Sequence, residues 1–294
     1  MTAAAAAGIV LLLAGIFLVL VANSRLSLSR FGLDILWGTE WNPVTGHYGA
    51  LSSIYGTILS TLVAMLIAVP LSFLSAFFLV EVAPTAIAGP VGAAIELLAA
   101  VPSIIYGMWG LFVFVPIMAT DVQPLLGRAL GLLPLFTGPP LGIGILTAGI
   151  ILAVMILPFM TAVIRDVLEM TPRTMKEAAF GMGATTWEVT RDVALRHGRV
   201  GIVGGLFLGL GRALGETMAV TFVIGNSHKI SASLMSPGNT IASTLANEFA
   251  EASSPLYLST LTELALILFG ITFLVNAASQ LLLARARSTM EGRR

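Results

Sequence analysis

Residues 54–80 read IYGTILSTLVAMLIAVPLSFLSAFFLV, a run without one charged side chain. A helix of about 20 predominantly apolar residues crosses the hydrocarbon core of a bilayer. A run this long and this uniformly apolar reads as a membrane span. Five further stretches qualify: 3–22, 89–119, 141–164, 198–224 and 256–284. In lipid the backbone must satisfy its own hydrogen-bonding groups, so all six are expected to be helices. The first could instead be a cleaved signal peptide. No basic residue precedes it, however, and its apolar run is longer than the roughly 7–15 residues of a signal core. Composition agrees with a membrane protein: 57% of residues are apolar and 10% charged, against about a quarter charged in soluble domains. The expected fold class is an all-α integral membrane protein with six transmembrane helices.

Formal net charge is zero and cysteine is absent, which gives no basic surface for nucleic acid, no disulfide and no thiolate metal site. His47, His197 and His228 are too scattered for a metal site. Of the 15 basic residues, six fall between spans four and five (Arg165, Arg173, Lys176, Arg191, Arg196, Arg199) and four in the carboxyl tail (Arg285, Arg287, Arg293, Arg294). Only Arg25, Arg30, Arg128 and Lys229 lie on the other side, and Arg212 sits inside a span. The positive-inside rule therefore predicts that the 165–199 segment and both termini are cytoplasmic. The outer connections 23–53, 120–140 and 225–255 are rich in Gly, Pro, Ser and Asn and read as ordered loops or short re-entrant pieces. Prolines at 70, 90, 102, 116 and 158 interrupt spans, as is tolerated where neighbouring helices or cavity water take up the freed carbonyls.

The predicted cytoplasmic segment has a different character. Thr174 with Glu177, and Thr185 with Glu188, each have the spacing of a capping box, so two short helices are predicted around Gly181–Ala184. Met175, Ala178, Ala179 and Met182 recur at helical spacing and form one apolar face. Periodicity alone favours a loop resting on the membrane or on its own bundle; a knob fitting a groove on another protein is the alternative.

Glu177-Ala178-Ala179-Phe180-Gly181-Met182-Gly183 resembles the EAA-x3-G signature of ABC importer permeases. That resemblance implies a type I ABC importer permease fold, whose two-helix coupling loop, here 165–197, docks on an ATPase subunit through Glu177, Ala178, Ala179 and Gly183. The family pattern continues as Ile-x-Leu-Pro, where this chain has Val193-Ala194-Leu195-Arg196, without the proline. The stretches Val101-Pro102-Ser103-Ile104-Ile105-Tyr106-Gly107, Leu210-Gly211-Arg212-Ala213-Leu214-Gly215-Glu216-Thr217-Met218-Ala219-Val220 and Pro237-Gly238-Asn239-Thr240-Ile241 resemble phosphate-specific permeases. Ala246-Asn247-Glu248-Phe249-Ala250-Glu251-Ala252 resembles the PstC type rather than its PstA-type partner. Two regions are expected: 1–50, the first span and outer loop, and 51–294, the importer transmembrane domain. The resemblance further implies a second, PstA-type permease, two ATPase subunits that carry ATP and magnesium, an extracytoplasmic phosphate-binding protein, and a bacterial inner-membrane location. Sulfate or molybdate is the alternative cargo.

Arg212 and Glu216 are intramembrane charges at i, i+4, about 6 Å apart along a helix axis. A lone cation there costs about 2.5–3.5 kcal/mol. The pair could merely fix helix packing, or Arg212 could line an anion pathway with Glu216 holding it between passages. A forked guanidinium suits phosphate oxygens, and both positions match the phosphate-permease motif. Glu96 and Glu263 are further acids inside predicted spans; either could partner Arg212, face the permease dimer interface or sit near a water-filled cavity, and the sequence names no partner for Glu96. Gly201, Gly205 and Gly209 repeat every four residues, which allows close helix packing within the chain or across a permease seam. No phosphate loop is present and the only lysines are Lys176 and Lys229, so ATP hydrolysis and catalysis are not expected of this chain. An ion-coupled transporter or a phosphate-status scaffold are the competing classes; the docking signature speaks against the first, and no sensor-domain sequence supports the second.

Overall fold

The computed structural model describes residues 2–291; Arg293 and Arg294 of the basic tail lie outside the described residues. Among the described residues, six helices are long and apolar enough to cross a membrane. The chain begins with α1 (Thr2–Asn23), a short α2 (Arg25–Phe31) and a two-stranded ladder, β1 (Trp41–Asn42) with β2 (His47–Tyr48). Helix α3 (Leu51–Val82) follows and ends in a π-helical turn at Phe78–Val82. Next come α4 (Thr85–Ala99), α5 (Ser103–Leu130) and α6 (Ile145–Glu169). Helix α7 (Arg173–Gly181) leads into α8 (Thr186–Leu214); then come α9 (Met218–Val223), α10 (Ile241–Glu248) and α11 (Pro255–Glu291).

Two predicted spans have different limits. The stretch 89–119 is not one helix: it breaks after Ala99, and the third span runs over Ser103–Leu130. Pro102 has no N–H to donate and disfavours a helical Val101, so an apolar run that looks continuous is cut there. Pro116 lies between two π-helical turns, Gly110–Phe114 and Met118–Val122, that let α5 continue past the lost hydrogen bond. The predicted fifth span, 198–224, is instead Thr186–Leu214. Arg196, standing in the place of the family proline, leaves nothing to stop the helix, so the second short helix merges into the span through a π-helical stretch at Val189–Ala194. Of the two capping boxes only Thr185–Glu188 forms; α7 starts after Pro172 with no side-chain cap.

The chain divides into two compact units. The first gathers the stretch up to Ser60, Gly107–Ala148 and Gly215–Phe273. Its core holds Ile35, Tyr48, Ala50, Ile241, Tyr257, Leu261 and Leu264. Asn239 donates through Nδ2 to Ser53 Oγ at 2.7 Å, and Thr240 forms a capping box on α10 with Ser243. A methyl group on Gly56 would run into the Asn239 carbonyl, so only glycine lets the 237–241 stretch lie this close to α3. Glu248 accepts three hydrogen bonds: Trp41 Nε1 at 2.7 Å, Tyr257 Oη at 2.5 Å and His228 Nε2 at 3.1 Å. Trp41 also stacks on His228, with ring centroids 5.2 Å apart. Burial pushes the Glu248 carboxyl up, but hydrogen bonds from His228, Tyr257 and Trp41 outweigh it and hold the group below its ordinary range.

The second unit gathers Thr61–Tyr106, Gly149–Leu214 and the chain from Leu274. Here the glycine period is explained by packing within the chain. A Cβ on Gly201 would meet Val167 Cγ2 at 2.7 Å, one on Gly205 would meet Val163 Cγ1 at 2.7 Å, and one on Gly209 would meet Met160 Sδ at 2.8 Å. The stripe therefore seats α8 directly on α6. A second core, Ala76, Ile164, Leu168 and Ala194, joins α3, α6 and the start of α8.

Candidate functional site

Arg212 lies in the last turn of α8, where a cation complements the negative end of the helix dipole. Its guanidinium carbon stands 5.6 Å from the centroid of the Phe159 ring on α6. The side chain is exposed on the isolated chain, whereas Gly205 and Gly209 of the same helix are buried. Among the described residues no hydrogen bond or ion pair is made to it. Glu216 is not on the next turn of the same helix, because α8 ends at Leu214. The carboxylate instead accepts the Ala219 N–H at 3.2 Å, capping the first turn of α9. Gly215-Glu216-Thr217 is thus an irregular link between two helices, and the i, i+4 geometry expected from sequence is not formed.

The two other acids have different environments. Glu96 is on α4, outside the six long helices, and its carboxylate accepts Arg165 Nη2 at 2.6 Å. Arg165 also faces Asp166 and Glu169, and Gly92 leaves room for its guanidinium. Glu96 is therefore part of a charge cluster that ties α4 to the end of α6. Glu263, on α11, is only 2% exposed, and its Oε2 has no hydrogen-bond partner among the described residues. It borders a cavity of about 200 Å³ whose other walls, from Leu28 to Ile267, are apolar or glycine.

In the segment expected from the resemblance to dock on an ATPase, Glu177 and Ala178 are exposed on α7 while Ala179 is buried. The predicted four-residue apolar face is therefore split: Met175, Ala178 and Met182 stay open, joined by Phe180, and Ala179 turns inward. Gly183 has φ +87°, a left-handed turn between α7 and α8 with open space around its Cα. Sequence reasoning missed Lys176 as anything but a positive-inside charge. Its Nζ lies 2.6 Å from Glu81 Oε1, across 95 residues of chain. No local spacing could have paired them, although an acid at the end of an uncharged run was a visible oddity.

Comparison with known proteins fits this architecture. Residues 44–288 match the family of binding-protein-dependent transport system inner membrane components. The chain is 54% identical over 288 residues to the phosphate transport system permease protein PstC of Mesorhizobium japonicum, covering 97% of this chain and 88% of that one. It is 52% identical to the PstC of Haemophilus influenzae, covering 95% and 90%. Among solved structures, the inward-facing methionine ABC transporter MetNI aligns at 18% identity with a TM-score of 0.57, over 81% of this chain and 94% of that one. A bacterial ABC transporter importing the polysaccharide alginate aligns at 16% identity with a TM-score of 0.55, over 78% of each chain. The fold is that of type I ABC importer permeases. The chain belongs to the family of binding-protein-dependent inner-membrane permeases, beside its PstC members.

Proposed function

We propose that this chain is the PstC-type permease subunit of an ATP-driven importer of inorganic phosphate, forming the pathway with a second, PstA-type permease. What carries the reading is 54% identity sustained over 97% of the chain with a permease of a phosphate transport system. In this reading two separate ATPase subunits bind ATP and magnesium and receive the open face of α7, and an extracytoplasmic protein delivers phosphate. The 165–197 segment and the carboxyl tail face the cytoplasm, as their excess of arginine and lysine favours, and an even number of spans puts the amino terminus on the same side.

Arg212 then serves the pathway. It is a cation at a helix end, set against an aromatic ring and exposed on the isolated chain, which leaves it open to a cavity completed by the partner permease. An anion dehydrated in a narrow pathway needs a compensating charge, but a weak one, because tight binding would prevent release. Irregular backbone at membrane depth is tolerated where it lines a water-filled or protein-lined cavity, which suits the link at 215–217. The test is radiolabelled phosphate uptake in cells lacking their own high-affinity system, with assembly checked by co-purification of the ATPase. Wild type should take up phosphate, and an assembled Arg212→Gln complex should not. Uptake equal in both returns Arg212 to a packing role, and an assembled wild type that prefers sulfate or molybdate overturns the cargo.

A further inference from the structure

Helix α7 presents two unlike faces. Outward it shows Met175, Glu177, Ala178 and Phe180, all exposed, with Met182 beyond its end 84% exposed. Inward it shows Ala179 and Lys176. The Lys176 side chain is 17% exposed and ends 2.6 Å from a Glu81 carboxylate that is 8% exposed. Glu81 is carried by the π-helical turn that finishes α3. Just before that turn, Phe77 meets Trp187, the second residue of α8, in a T-shaped contact with centroids 5.6 Å apart and rings at 87°. The end of α3 is thus fastened twice, by charge to α7 and by an aromatic contact to the start of α8.

A largely buried ion pair is a poor way to add stability. Its desolvation cost cancels much of the attraction, and an apolar pair of equal volume often does as well. What it supplies is geometry, since breaking it strands a charge away from water.

Resting on the importer reading above, we infer that Lys176–Glu81 is a positioning pair that makes the end of α3 move with the docking helix, so that displacement of α7 by the ATPase becomes displacement of a membrane span. Neither residue touches substrate. Removing the pair leaves α7's open face intact, so the ATPase still binds and turns over, but α3 no longer follows it.

The chain contains no cysteine, so single labels can be placed cleanly. Spin labels at Met182→Cys and Phe78→Cys, both exposed in this structure, would report the distance between docking segment and α3 in the complete, lipid-reconstituted importer. The same vesicles would be assayed for phosphate transported per ATP hydrolysed. With Lys176 and Glu81 in place, the distance should be the same without nucleotide and with ATP trapped. In Lys176→Met and Glu81→Gln it should broaden or shift with ATP, and transport per ATP should fall about tenfold, the consequence of roughly 1.4 kcal/mol of lost coupling. The exchanged pair Lys176→Glu with Glu81→Lys should restore both. A distance that stays locked in the single variants, or an unchanged ratio of transport to hydrolysis, overturns the inference. Should the single variants fail to assemble, the exchanged pair decides: assembly regained without coupling overturns it. The label distance does not depend on cargo, so a wild type that hydrolyses ATP without moving phosphate would overturn the phosphate reading and leave this result standing by itself.

Discussion

Glu248 and Arg212 are two charges in the same chain with opposite surroundings. Glu248 is saturated: an indole, a phenol and an imidazole all point at one carboxylate, and the indole also stacks on the imidazole. Arg212 offers a full fork of donors and, among the described residues, meets the face of Phe159 and no hydrogen-bond acceptor. A charge whose hydrogen bonds are all met within the chain is fixing structure, since any further ligand would have to displace them. A charge left with a weak, non-directional contact keeps its donors for something that arrives from outside. The difference separates a carboxylate fixed within the chain from the cation proposed above to meet the anion.

The comparison breaks most visibly if the roles are exchanged by mutation. Arg212→Gln should leave the complex assembled and lower phosphate uptake roughly a hundredfold, the loss expected when about 3 kcal/mol of fixed charge stabilisation is removed. Glu248→Ala should do the reverse. It strands three donors, one of them able to carry charge, and should destabilise the permease by about 3 kcal/mol. Uptake per assembled complex should stay near wild type. Thermal unfolding of the purified complex and uptake normalised to co-purified ATPase read the two effects separately. A Glu248 variant that assembles and unfolds normally but does not transport would erase the distinction.

Smaller effects are expected along the glycine stripe, where the neighbour's stiffness decides. Gly205→Ala would press its methyl on β-branched Val163, and should cost about 2 kcal/mol. Gly209→Ala meets the flexible thioether of Met160 instead and should cost under about 1 kcal/mol. Equal melting shifts for the two would mean that α8 rests on α6 less tightly than the contacts indicate.

Much of this was readable in the chain. The run 54–80 could only be a membrane span, and the four-residue period of Gly201, Gly205 and Gly209 announced a close helix contact before its partner was known. The limits of spans were less legible. Composition is blind to the break at Pro102, because the residues on either side are equally apolar. The merging of the second docking helix into α8 turned on one absent proline at Arg196. The pairings were not legible at all. Trp41 and Glu248 stand 207 residues apart, Lys176 and Glu81 95, and no local pattern records which distant polar groups a fold brings together. The i, i+4 spacing of Arg212 and Glu216 carried a pairing only on the premise of an unbroken helix, and the helix ends at Leu214. The quoted stretches 237–241 and 246–252 suggested a family; the structure supplies their physical content, in Asn239 lying against α3 and in Glu248 collecting its three donors.

The smallest expected effect tests whether Glu248 is truly saturated as an anion. Its carboxyl is held below its ordinary value in the folded chain, whereas an unfolded glutamate titrates near about 4.3. A group whose folded pKa is depressed contributes stability that is complete above the unfolded pKa and is lost as pH falls toward the folded one. The melting advantage of wild type over Glu248→Gln should therefore be constant at neutral pH and should narrow between about pH 5 and the onset of acid unfolding. His228 and Tyr257 face the same carboxylate, so a parallel series with both proteins carrying His228→Gln isolates the contribution of the carboxylate. An advantage that persists undiminished into acid would mean that Trp41 and Tyr257 hold a neutral carboxyl as firmly as an anion, and the contrast with Arg212 would then rest on shape rather than on charge.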